Sequence, residues 1–127
     1  MPHLNEVAPT FVVNDVGATV RWYQENLGFR FDHFPKDEPW VWASMRRDGV
    51  EIMLMRIEGF QKQDLSILRP AGLWDAYIRM KDVREFYNTV KAKLPIKRDL
   101  AQMPYGNWEF EIRDLNGYVL VFSELLD

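Results

Sequence analysis

The chain of 127 residues is 47% hydrophobic and 28% charged, with a net charge of -3, no cysteine and two histidines. This is the composition of a globular domain rather than a disordered or membrane-spanning one, since no apolar run nears the ~18 residues a bilayer span needs. The missing cysteines exclude disulfides and thiolate chemistry and fit a cytoplasmic protein; the acidic balance disfavours nucleic acid, and Met1–Pro9 shows no leader pattern, so no signal peptide is expected.

In chain order, the apolar residues at Val7–Val13 predict a first strand. Asp15 follows as an N-cap, and Val16, Val20, Tyr23 and Leu27 form one face of a helix over Val16–Leu27, stopped by Gly28. Strands are predicted at Phe29–Phe34, Trp40–Arg47 and Val50–Arg56, the last two joined by the hairpin dipeptide Asp48-Gly49. Residues 58–73 read as a linker, long for a connection.

The second half repeats the first. At a shift of 67, Asp15-Val16 falls on Asp82-Val83, and Val83, Tyr87, Val90 and Leu94 repeat the helical stripe over Val83–Leu94. Asp82 is expected to cap this helix in a capping box with Glu85, and Pro95 to end it. The flanking strands are Trp74–Met80, Ile96–Leu100, Asn107–Arg113 and Tyr118–Ser123, and Leu115-Asn116-Gly117 suits a three-residue turn with a left-handed glycine. The expected fold is α+β: a single domain of two βαβββ modules, about 5–57 and about 74–125, in a curved mixed sheet around a cavity.

This repeat resembles the vicinal oxygen chelate superfamily, which includes glyoxalase I, fosfomycin-resistance enzymes, extradiol dioxygenases and bleomycin-resistance proteins. The resemblance rests on the Asp-Val caps, the "WYQENLGF" helix end and the "RDLNGY" turn, and covers nearly the whole chain. The tail "PYGNWEFEIRDLNGYVLVFSELLD" is most similar to the bleomycin-resistance branch, whose members are non-enzymatic dimers that sequester a bulky cationic drug. The resemblance implies a homodimer and a small-molecule ligand as partners.

Enzymes of the superfamily hold a divalent metal at four positions, two per half. Carried onto this sequence, those positions are Ala8, Met53, Asp75 and Val121. Three lack a donor for a hard or borderline cation, so no metal and no cofactor are expected. Shifting the register by one would bring Glu51 or Ile52 inward without completing a set.

Strand alternation assigns the inward face. Trp40, Trp42 and Tyr77 offer stacking surfaces, Met53 an adaptable one, and Glu51, Asp75, Glu109 and Glu111 negative charge. Tyr105 stands on the loop before the seventh strand as a candidate lid. Aromatic faces with carboxylates suit an aromatic or cationic ligand. The same pattern fits plain structure: Glu109 and Glu111 as residues of a solvated sheet face, the tryptophans as core or dimer interface. The expected function is non-catalytic capture of a drug-like molecule. The alternatives are a metal-dependent lyase, isomerase or dioxygenase, and an interaction protein with a vestigial pocket.

Overall fold

A computed structural model describes residues 1–69 and 72–125, which form two compact units, Met1–Phe60 and Gln61–Asp127. The first contains β1 (Thr10–Val13), α1 (Val16–Leu27), β2 (Arg30–Phe34), β3 (Trp42–Arg47) and β4 (Val50–Arg56). The second contains a 3-10 turn (Leu65–Leu68), β5 (Ala76–Arg79), α2 (Val83–Lys91), β6 (Arg98–Gln102), β7 (Asn107–Arg113) and β8 (Val119–Leu125). Each unit carries its own four-stranded mixed sheet, ordered β1-β4-β3-β2 and β5-β8-β7-β6. In each, the first strand runs parallel to the last and the remaining pairs are antiparallel. The expected βαβββ repeat is therefore present twice.

In the first unit α1 starts at Asp15, whose carboxylate accepts from Ala18 N at 2.9 Å. It ends at Gly28, whose φ of 71° is a left-handed cap that favours glycine. All four residues of the predicted stripe, Val16, Val20, Tyr23 and Leu27, are buried, and Phe11, Val13, Ala43, Met45, Ile52 and Leu54 meet them from the sheet. Burying each large apolar side chain stabilises the unit by about 1.5–3 kcal/mol before entropy is subtracted. Arg47 pairs with Val50 across the Asp48-Gly49 turn, as the turn chemistry predicts.

In the second unit the core is aromatic. Phe110 and Phe122 stack at 5.2 Å, and Phe86 and Tyr87 of α2 pack on them. Asp114 pairs with Tyr118, and its carboxylate accepts from Asn116 N and Tyr118 N while Gly117 takes φ 92°. That closes the predicted three-residue turn. Two expectations need correction. Asp82 sits at φ 62° and makes no cap bond; Glu124 Oε1 instead accepts from Val83 N at 3.0 Å, so a carboxylate from β8 caps α2. The helix also ends at Lys91, before Leu94, in a turn held by Leu94 N donating to Val90 O.

Strand bounds shift by a few residues. β1 and β5 begin at Thr10 and Ala76, later than predicted, and β6 and β8 run on to Gln102 and Leu125. The expected linker is not a free tether in its described part. Lys62 bonds Asp75 at 3.2 Å and lies over the Tyr118 ring, while Asp64 bonds Arg113 at 3.1 Å. These charge pairs fold residues 62–64 onto the second unit. Residues 70 and 71 of that stretch lie outside the described part.

Candidate functional site

Each sheet packs one face on its helix and turns the other away. The strand register arranges that second face in rows, and each unit is described by itself.

In the first unit one row runs Phe34, Trp42, Met55, Val12, the next Asp32, Ser44, Met53, Thr10, and a third Arg30, Arg46, Glu51. The face thus grades from aromatic to charged. Phe34 and Met55 are largely exposed, whereas Trp42 and Met53 are half-buried. A hollow of about 350 Å³ is lined by Arg30, Phe31, Asp32, Ser44 and Arg46. Glu51 borders it with both oxygens engaged: Ser44 Oγ donates to one at 2.6 Å and Arg46 Nη2 to the other at 2.9 Å.

Trp40 is on the other side of this sheet from Trp42. It lies before β3 begins and stacks on His33 at 3.7 Å, with the Arg21 guanidinium from α1 over its ring. His33 pairs with Ala43, a core position on the α1 face. The alternation rule fails because Trp40 precedes the first paired residue, Trp42. Beside Trp40 is a second hollow of about 400 Å³, at the start of α1, reaching Arg56. The Trp40 Nε1 is buried and has no acceptor among the described residues.

In the second unit the rows are Tyr77, Val121, Glu111, Arg98 and Arg79, Ser123, Glu109, Ala101. Glu109 and Glu111 do share one face with Tyr77, but they are not surface carboxylates, being 0% and 1% exposed. Burying a charge requires a partner. Arg98 Nη2 lies 3.1 Å from Glu109 and 2.7 Å from Glu111, and Lys97 Nζ donates to Glu111 at 3.0 Å. The Tyr77 hydroxyl donates to Glu109 and lies 2.8 Å from Ser123 Oγ, while Asn107 Nδ2 donates to both Tyr77 and Ser123. Tyr105, on the hairpin before β7, is largely exposed, yet its hydroxyl is pushed well above the ordinary phenol range. Partial burial of the hydroxyl is the first cause, and the facing Glu109 carboxylate, which it hydrogen-bonds, the second. Trp74, which the residue pattern alone did not single out, is exposed with its ring 5.2 Å from Tyr77.

Asp75 stands at the start of β5 with both oxygens engaged, one on Lys62 Nζ at 3.2 Å and the other accepting from Val119 N at 2.8 Å. All four carboxylates selected for ligand charge are therefore met by a cation of their own unit.

A family model, described as "Glyoxalase/Bleomycin resistance protein/Dioxygenase superfamily", matches residues 2–122. The chain belongs to that superfamily. A comparison with curated proteins finds no match. Among solved structures the chain is similar to TioX from Micromonospora sp. ML1, at 22% identity and TM-score 0.72 over 95% of this chain and 100% of that one. It is similar to a glyoxalase-related enzyme from Clostridium phytofermentans, at 18% and 0.76 over 98% of both chains. A third is the bleomycin-binding protein of bleomycin-producing Streptomyces verticillus, solved with copper(II)-bleomycin, at 21% and 0.70 over 96% of this chain and 97% of that one. Identities this low establish the shared fold.

The donor set does not fit the metal that superfamily enzymes use. Ala8 offers no donor, and Met53 only a soft thioether, half-buried beside Thr10. Val121 offers none, and Asp75 is neutralised by Lys62. Among the described residues no three His, Asp or Glu gather as a metal site. No helix among them is long and apolar enough to cross a membrane.

Proposed function

We propose that this protein captures a small planar aromatic molecule without transforming it, as the bleomycin-binding relatives of the same fold bind theirs. One observation carries the reading. Both sheet faces turned away from the helices keep recognition groups, while the positions that the resemblance carries over as ion ligands hold Ala8, Met53, Val121 and a lysine-paired Asp75. Trp42 and Met53 offer stacking and adaptable contact in the first unit, as Tyr77 and Tyr105 do in the second. Glu51, Asp75, Glu109 and Glu111 serve as anchors that hold Arg46, Lys62, Arg98 and Lys97 in place. Trp40, stacked on His33, belongs to the α1 side and contributes only through the hollow beside it.

The working form is a homodimer. Leu4 and Val7 are almost fully exposed on the segment before β1, and a second copy would cover them. Light scattering coupled to size exclusion reads this directly: a monomer at micromolar concentration refutes it.

The function is tested by thermal shift against planar aromatics, bleomycin included, together with elemental analysis of protein purified without chelator. Binding stabilises the folded protein by RT ln(1 + [L]/Kd), so the melting temperature climbs with the logarithm of ligand concentration above Kd. Near-stoichiometric manganese, nickel, zinc or iron would refute the non-catalytic reading.

A further inference from the structure

The charges on the face of the second sheet turned away from α2 balance almost completely, and the remainder has a definite sign. Glu109 and Glu111 are held by Arg98 and Lys97, Asp75 by Lys62, and Asp64 by Arg113. Four carboxylates meet four cations. Arg79 is left over. It follows Tyr77 by two on β5, pairs in register with Ser123, is exposed, and lies over the Tyr77 ring at 5.3 Å. Among the described residues no carboxylate is within ion-pair distance of it.

A guanidinium presents five N–H groups and no acceptor, so what it lacks is an oxygen-bearing partner. Arg79 keeps its fork open, since a ring face occupies none of its N–H directions. The Tyr77 ring on which Arg79 rests has a second flat surface beside it, the exposed Trp74 ring at 5.2 Å.

We infer that the ligand of this face is a planar aromatic acid, its carboxylate or sulfonate held by Arg79 and its ring laid against Trp74. This inference rests on the small-molecule reading above and narrows it. A cationic ligand would find each of these carboxylates already facing a cation, Glu111 Oε2 lying 2.7 Å from Arg98 although it accepts no hydrogen bond, and would have to displace Arg98 or Lys97 from a buried partner. Removing a partner from a buried pair is costly because the charge left behind has no water. An anion displaces nothing.

Three probes of one shape and different charge test it: 2-naphthoate, 2-naphthalenemethanol and 2-naphthylmethylammonium, titrated by calorimetry. The expected order is naphthoate tightest, by roughly tenfold over the ammonium, the size of one charge-assisted contact. In Arg79→Gln the naphthoate should fall to the affinity of the alcohol, with the alcohol unchanged; Arg79→Lys should restore part of the preference. Both variants alter an exposed side chain, and a melting curve verifies their folding. If the ammonium binds as well as or better than naphthoate, or if Arg79→Gln weakens all three probes alike, the charge assignment is overturned while small-molecule capture stands. If none of the three binds the folded protein, the capture reading fails and the inference falls with it.

Discussion

Replacing Arg98 with Met removes the guanidinium that two carboxylates share. Glu109 and Glu111 are essentially fully buried, and Arg98 stands 3.1 Å and 2.7 Å from them. Deleting one member of a fully buried pair costs about 3–5 kcal/mol. Two features of the site reduce that. The Arg98 side chain is 35% exposed, so water enters where it leaves. Glu111 also keeps Lys97, and Glu109 keeps the hydroxyls of Tyr77 and Ser123. The expected loss is therefore about 2–3 kcal/mol, or roughly 8–12 °C in Tm for a chain this size. Urea unfolding followed by tryptophan emission measures it. A double-mutant cycle with Glu109→Gln isolates the pair, with an expected coupling of about 1–2 kcal/mol. If Arg98→Met costs less than about 0.5 kcal/mol, the carboxylates do not depend on the guanidinium. They would then be open to a cationic ligand, and the argument for an acidic one would collapse.

Phe110→Ala should cost about 3–5 kcal/mol, because its fully buried ring is the one on which Phe122, Phe86 and Tyr87 all pack; calorimetry should show near-complete loss of cooperative unfolding. Asp15→Ala should cost about 1 kcal/mol as a lost N-cap, whereas Asp82→Asn, which removes no cap bond and keeps a residue tolerated at φ 62°, should cost less by chemical denaturation. The Asp64 carboxyl is held below its ordinary value, first by hydrogen bonds from Ser66 and then by Arg113. A depressed folded pKa means that its contribution is present above the unfolded value and fades as pH falls through the folded one. NMR should therefore find the Asp64 midpoint below that of the unfolded chain, with the contact to Arg113 loosening below about pH 4; an unshifted midpoint would refute the anchoring of the linker.

Much of this arrangement was readable where local chemistry dictates it. The two turns fixed the register: Asp48-Gly49 and Leu115-Asn116-Gly117 each admit few closures, and counting back from them puts Ser44 opposite Met53 and Glu109 opposite Ser123, where the strands pair. The α1 stripe was equally legible because a period of 3.6 residues is a local property. What escaped was decided at a distance. Asp82 has the right type and spacing for a cap, but Glu124, 42 positions later, arrives at the same N–H. Phe34 was open to discovery, since alternation from Asp32 puts it beside Trp42. No count along the chain could find that Lys62 reaches Asp75, or that Glu109 and Glu111 sink beneath Arg98. Such pairings depend on which long side chain folds over which strand.

Lys62 has a consequence of its own. Its ammonium meets Asp75, the one carboxylate among the four positions that the superfamily resemblance would make ion ligands. A positive charge covalently attached to the backbone cannot be stripped by a chelator, exchanged for a competing ion or lost to starvation. The charge on Asp75 is met as soon as the chain folds, by a partner built into that chain.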